Sequence, residues 1–517
     1  MKIVKHILVL ANKNPAFRSA LWILFMFIAV TNCSPVLSSV ENGVSGPFFA
    51  TGMKIGEVTS SSAVIWGRLT QDKERVGRPA PIPQVLYKNK SGEWVERKSG
   101  RRPNLLPRVE YPDGYDVTNI EGATPGAKGW LKLKYRTKKG AQSWKSTDWV
   151  QVDSTTDFTK NTKLEQLSAD TYYEVELISS HNGENEGEVI TGSFTTAPVA
   201  DVSKPLVFTA TTCTSYDDVD SIGYGYKIYD HMKQLNPSFF VHLGDILYYD
   251  DLGKTSDLAR WHWDRMYSLP THIDFHQKVA SYFIKDDHDT WMNDSWPGRE
   301  TQFMGDFTFE EGLKFFLEEV PMDTSTYRTV RWGQDLQIWM VEGRDFRSPN
   351  TMPDGPDKTI WGEKQKQWFY ETVAASNATF KILFSPTPVV GPDRDRKNDN
   401  HSNAGFAYEG KEIRDFLTQQ ENMFVICGDR HWQYVSEDSE TGLKEFSVGP
   451  GSDAHAQGWS QDDRRPEHAY LNVVGGFLSG ELSYTQGVPK LTLRHHDVNG
   501  VVLNQEEIYP LNTRNEQ

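Results

Sequence analysis

At 517 residues the chain exceeds the roughly 100–200 residues of one compact module, so two domains are expected. With 38% hydrophobic and 24% charged residues it is too apolar for disorder and lacks the long apolar spans of a membrane bundle. A net charge of −15 argues against a nucleic-acid coat, and three cysteines exclude a disulfide framework.

The N-terminus carries Lys2, Lys5, Lys13 and Arg18, then the apolar run 20–30. That run falls short of the ~20 residues a membrane span needs and fits the apolar region of an export signal. Cys33 follows in Val30-Thr-Asn-Cys33, which resembles a lipobox. Residues 1–33 are therefore expected to direct export to the periplasm or cell surface, with ordinary cleavage and lipid anchoring at Cys33 both open.

Residues 45–199 read as all-β. Short alternating segments at 62–66, 130–135, 172–178 and 189–194 are separated by Gly, Asn, Asp and Ser clusters. The segments 167–177 and 192–198 are similar to the late strands of a fibronectin type III-like sandwich. A basic, Pro- and Gly-rich insertion at about 71–128 holds Lys88, Lys90, Arg97, Lys98, Arg101, Arg102 and Arg108. It is expected to be a solvated decoration of the sandwich.

From 205 to 517 the pattern alternates. Strands are expected at 206–213, 239–245, 278–285, 380–385 and 423–429, and helices at 223–235, 309–320, 362–375 and 411–420. Terminal hairpins follow at 490–509. Four apolar runs end in a group able to bind a metal: Cys213, Asp245, Asp286-Asp-His-Asp289 and Asp429-Arg-His431. Strand-end loops are where a rigid sheet presents catalytic side chains, and buried carboxylates need a partner or a cation. Asp245 and Tyr248, three apart past a strand, can turn toward one point. A phenolate, a carboxylate and the Cys213 thiolate together suit iron. For Cys213 a disulfide with Cys427 is the competing reading.

The set Thr212-Cys213, Gly244-Asp-Ile-Leu-Tyr248, Asp286-Asp-His-Asp289, Gly362-Glu-Lys-Gln-Lys-Gln-Trp368 and Gly428-Asp-Arg-His-Trp432 resembles the PhoD-like alkaline phosphatases. These are calcineurin-like metallophosphoesterases related in their site to the purple acid phosphatases. The resemblance implies an N-terminal β-sandwich followed by an α/β metallophosphoesterase domain of two packed mixed sheets flanked by helices. It also implies that Asp245 bridges two metal sites, that Cys213, Tyr248 and His431 serve an iron-like site, and that Asp287 and Asp429 serve a second, oxygen-rich one. Fe(III) with Ca²⁺ is the expected pair. The segment Asp399-Asn-His-Ser-Asn-Ala-Gly-Phe-Ala-Tyr408 departs from the Asp-x-Trp-x-Gly-Tyr pattern of the family, which bears on the substrate class.

The expected activity is hydrolysis of a small phosphate ester by a metal-activated water, with a phosphodiesterase or another anionic-ester hydrolase as the alternative. A non-catalytic surface binder is the reading from another class. No nucleic-acid partner is expected, and no membrane contact beyond an N-terminal anchor. His288 is the candidate general acid, oriented by Asp289. Arg430, Arg344, Arg347 and Asn403 are candidate phosphate contacts. His401 is open as a ligand or substrate contact, with an exposed loop histidine as the expected reading.

Overall fold

A computed structural model describes residues 46–97, 102–138 and 143–510. The segment expected to direct export, with Cys33, and likewise Lys98 and Arg101, lie outside the described residues.

Two sheets form the framework. A nine-stranded sheet contains Leu206–Thr211, Phe239–Leu243 and Ser281–Ile284 as parallel neighbours, and a seven-stranded sheet contains Leu336–Met340, Phe380–Ser385 and Met423–Cys427 likewise. These strands read as continuous apolar runs because they are covered on both faces. Alternate side chains divide between two cores. Phe239 and Val241 point between the sheets, where they join Ile338, Ile382 and Phe384, while Phe240 packs outward. Trp339 and Leu383 leave the second sheet on its other side. Edge contact of Phe208 with Phe384 at 5.9 Å ties one sheet to the other.

Helices cover both outer faces. Lys227–Gln234, Ser256–Tyr267, Pro270–His276 and Phe309–Glu319 lie against the nine-stranded sheet, and Gly362–Ala374 and Ala407–Thr418 against the seven-stranded one. Phe309–Glu319 begins in a capping box, Thr308 and Glu311 each satisfying the other's backbone N–H. The helix Ser256–Tyr267 has no legible apolar stripe because even its Asp264 and Arg265 are buried.

The N-terminal region is all-β and carries its strands into the nine-stranded sheet. Met53–Gly56 pairs with Ser281–Ile284 and continues through Ala63–Arg68 to Thr159–Leu164. A second sheet, built on Gly129–Thr137, Tyr172–Ser180 and Val189–Thr195, packs Leu133, Val175 and Phe194 into the same core as Ile65 and Phe208. From Gly46 onward the chain is one compact unit.

The basic insertion is largely exposed, as expected of a solvated decoration, but it is structured and docked at one end. It forms a small sheet, Gln84–Lys88 between Trp94–Glu96 and Arg108–Glu110. Beyond it, Ile120 and Ala123 pack on Leu258 and Trp261 of the helix below. Glu121 is buried between Arg75 at 2.6 Å and Arg265 at 2.9 Å. A buried carboxylate between two guanidiniums is a fixed anchor, since undocking it would strand the charge.

Candidate metal centre

The carboxyl ends of the parallel strands converge between the two sheets. Leu206–Thr211 delivers Cys213, Phe239–Leu243 delivers Asp245 and Tyr248, Ser281–Ile284 delivers Asp286 to Asp289, and Met423–Cys427 delivers Asp429 and His431. The approach is close at Gly428, where an added Cβ would lie 2.6 Å from the Leu243 carbonyl and 2.7 Å from Thr212 Oγ1. Cys213, Asp245 and Asp429 hold φ of 53°, 54° and 61°. Non-glycine residues seldom adopt this left-handed conformation, and its appearance at three converging polar residues is backbone strain of the kind stored at functional sites.

Three groups of ligand atoms lie within 4.8 Å of one another: Cys213, Asp245 and His431; Asp245, Asp287 and His288; and Asp245, Asp286 and Asp429. Asp245 is common to all three. Tyr248 joins the first group, its hydroxyl 3.3 Å from Asp245 Oδ2 and 3.4 Å from His431 Nε2. Asp245 Oδ1, Asp286 Oδ2 and Asp287 Oδ1 are buried without a hydrogen-bond partner. Burial, and then the neighbouring carboxylates, push Asp245 far above the usual carboxylate range. Burial and Asp245 likewise hold the Cys213 thiol and the Tyr248 phenol well up. Burial, with His455 and Arg430 nearby, keeps His431 neutral. Crowded, orphaned acids beside a neutral imidazole and a thiol are the donor set of a cation site. Cys213 and Cys427 are both free thiols, so the competing disulfide is not formed.

His288 stands beside this centre, and its orienting carboxylate differs from the one expected. Asp289 does not hold the ring. Its buried carboxylate instead accepts the N–H of Ile246 at 3.0 Å and of Asp286 at 2.6 Å, tying two ligand-bearing loops together. His288 Nδ1 pairs with Asp250 Oδ2. Burial alone would lower the His288 pKa, but Asp250, Asp287 and Asp245 raise it to about 10. Asp250 in turn accepts from Arg102 Nε at 2.5 Å and from the Asn293 N–H at 3.2 Å. Arg102 belongs to the insertion, which therefore reaches the chemistry.

The four proposed phosphate contacts are engaged within the protein, and two of them, Arg344 and Arg430, pair with acids of the centre itself. Arg344, fully buried, binds Asp286 through Nε at 2.6 Å and the Ser295 carbonyl at 3.1 Å. Arg430, also fully buried, binds Asp393 at 2.7 Å and pairs with Asp429. Arg347 donates to Asn350 and to the Asp399 carbonyl, both at 2.7 Å. Asn403 caps a short turn by accepting from the Gly405 N–H. The three guanidiniums are engaged by carboxylate, amide or carbonyl oxygens, because a buried guanidinium without a partner is costly. His401 is buried and bonded to Glu409 at 3.0 Å, not exposed.

The groups that do face the site came from loops that motif reading passed over. Asn293, Asp294, Arg394, Arg396 and Lys397 close, with Asp287, His288, Asp429 and His431, a cavity of about 320 Å³. Lys397 bridges Asp294 and Asp399 at 2.8 Å each. His455 bonds the Tyr248 hydroxyl at 2.8 Å through Nε2 and Asp218 at 2.7 Å through Nδ1. The strand-end rule applied to Lys444–Val448, which ends in Gly449-Pro-Gly451, would have found it. Asp250 was legible as the next acid after Tyr248.

The PhoD-like phosphatase family model matches residues 208–474. Alkaline phosphatase D of Bacillus subtilis (strain 168) is 21% identical over 293 residues, 46% of this chain and 48% of that protein. The match thus spans about half the length of this curated relative. Among solved structures, one of PhoD superposes with a TM-score of 0.64 at 15% identity, covering 90% of this chain and 89% of that one. Purple acid phosphatase PPD1 from yellow lupin (Lupinus luteus) seeds gives 0.55 at 12% identity, over 87% of this chain and 79% of that one. At such identities these two likenesses establish the fold.

Proposed function

The chain belongs to the PhoD-like phosphatase family, and from that premise we propose that it is a metal-dependent phosphoric ester hydrolase working outside the cytoplasm. The observation that carries this reading is the convergence of orphaned buried carboxylate oxygens on Asp245, with the His288–Asp250 pair alongside. Cys213, Tyr248, His431 and Asp245 fit Fe(III), and Asp245, Asp286 and Asp429 form an all-oxygen group that fits Ca²⁺, with Asp287 grouped beside Asp245 and His288. Bound there, two cations would lower the pKa of a water nucleophile and neutralise charge on the phosphoryl group as it transfers.

The chain's own residues supply the rest. Arg394 and Arg396 line the cavity and receive the anionic substrate. His288, held protonated and oriented by Asp250, donates a proton to the departing alkoxide oxygen. His455 fixes the Tyr248 hydroxyl, and Asp289 fixes the loops on which the ligands sit. The extracytoplasmic location rests on the basic residues and apolar run of 2–30 and on Cys33.

The test is elemental analysis of the purified protein together with hydrolysis of p-nitrophenyl phosphate and of its bis-ester. Bound iron and calcium with turnover, both lost in Asp245→Asn, is the expected result. An Asp245→Asn protein that keeps metal and turnover would overturn the assignment.

A further inference from the structure

The basic insertion docks without Arg102. Ile120 and Ala123 seat one end of it on Leu258 and Trp261, Glu121 is held by Arg75 and Arg265, and Tyr87 stacks on Phe303 at 5.7 Å. Asn104 accepts the Gln302 N–H at 2.8 Å and so fixes the loop two residues past Arg102. Among the described residues the only hydrogen bond or ion pair of Arg102 is the one to Asp250, the carboxylate that holds His288. The Arg102 side chain is 29% exposed, which leaves its place open to a small solute.

Asp250 is pinned at both oxygens. Its Oδ1 accepts from Arg102 Nε at 2.5 Å and from the Asn293 N–H at 3.2 Å, and its Oδ2 takes His288 Nδ1. Without Arg102 only the longer backbone bond holds Oδ1, and a carboxylate turns readily about its last torsion. The His288 ring would turn with it. Tyr248 covers one face of that ring at 4.2 Å, so the bond at Nδ1 sets the direction of Nε2, the nitrogen left to face the cavity. A neighbouring contact has the same sense, since Arg97 of the insertion pairs with Asp251.

We propose that Arg102 is a positioning residue for the reaction, through which the insertion sets the aim of the His288 proton donor. The proposal rests on the phosphoric ester hydrolase reading above. As a P–O bond forms to the water nucleophile, the ester P–O bond breaks and its electron pair stays on the departing oxygen. The Nε2 proton of His288 passes to that oxygen, giving the free alcohol and a neutral imidazole. A misaimed ring slows this transfer, because proton transfer depends on the alignment of donor and acceptor. It leaves the contacts of Arg394 and Arg396 with the phosphoryl group in place.

The experiment compares ethyl phosphate with p-nitrophenyl phosphate on the metal-loaded wild type, Arg102→Ala and Arg102→Lys, with elemental analysis of each protein. In Arg102→Ala, kcat should fall about tenfold for ethyl phosphate and less than about threefold for p-nitrophenyl phosphate, whose phenolate leaves with little protonation. Metal content and both KM values should match the wild type. Arg102→Lys, and ethylguanidinium added to Arg102→Ala, should each recover part of the loss. Equal losses for the two esters, a loss carried by KM, a loss that neither lysine nor ethylguanidinium reduces, or no loss at all overturns the proposal. If the wild type turns over neither ester, the hydrolase reading fails and the hold on His288 is judged alone, by hydrogen exchange at its Cε1 followed by mass spectrometry on the same proteins. Exchange at least about threefold faster in Arg102→Ala than in the wild type sustains the positioning role, and an equal or slower rate overturns it.

Discussion

Replacing Asp250 by Asn tests the proton-donor arrangement directly. Asp250 is the largest of the influences raising the His288 pKa against burial, and it is buried itself with Arg102 at 2.5 Å. The amide keeps the size of the group and removes its charge. From an ordinary value of 6.5 to about 10 is 3.5 pH units, worth about 5 kcal/mol between the two protonation states. Losing the main source of that shift leaves burial to drive His288 toward its neutral form. General-acid assistance contributes typically 10²- to 10⁴-fold, so an alkyl phosphate, whose alkoxide leaves poorly, should lose about 100-fold in kcat. p-Nitrophenyl phosphate, whose phenolate needs little protonation, should lose less than about tenfold by the same reasoning. The sign of the pH effect follows. A raised histidine pKa keeps the acid form up to the folded-state value, so lowering it moves the alkaline limb of the alkyl-ester profile to lower pH. Equal losses for both esters, or an unmoved alkaline limb, would refute the role given to His288 and Asp250.

Arg344→Met strands Asp286 in the core, and an unfolding free energy lower by about 3–5 kcal/mol is expected by chemical denaturation; a change below about 1 kcal/mol would show that the pair is not buried as described. Cys213→Ser removes the soft donor from one site and leaves the oxygen-rich one, so metal analysis should find iron reduced and calcium retained. Burial, with Arg265 and Lys254 nearby, lowers His262 to about 3, so it stays neutral when folded while the unfolded chain takes a proton below about 6.5. Stability from this residue is lost as pH falls from 6.5 toward 3, and His262→Gln should flatten the acid dependence of urea unfolding by roughly 1.4 kcal/mol per pH unit. A slope identical to wild type would count against that burial. Glu121→Ala leaves Arg75 and Arg265 facing each other, and faster proteolysis within residues 71–128 should follow.

What the sequence determined by itself is local and periodic. Continuous apolar runs marked the parallel strands, because a strand covered on both faces has no polar side to show. The polar residues that end those runs, Cys213, Asp245, Asp287, Asp429 and His431, stood out for the same reason. The family followed from their combination.

Only the tertiary structure decided who partners whom. Arg344, Arg347 and Arg430 looked like phosphate ligands in one dimension, but each satisfies carboxylates or carbonyls brought in from distant loops. Asp250 displaces Asp289 as the partner of His288 because the backbone N–H groups of Ile246 and Asp286 take up Asp289 first. The helix Ser256–Tyr267 hid its period by burying Asp264 and Arg265, and the docked end of the insertion did not show until Glu121 was seen between Arg75 and Arg265. The common cause is that ionic and hydrogen-bond partners are chosen by proximity in the folded chain, which residue spacing does not encode, whereas burial of a strand is written into its own residues.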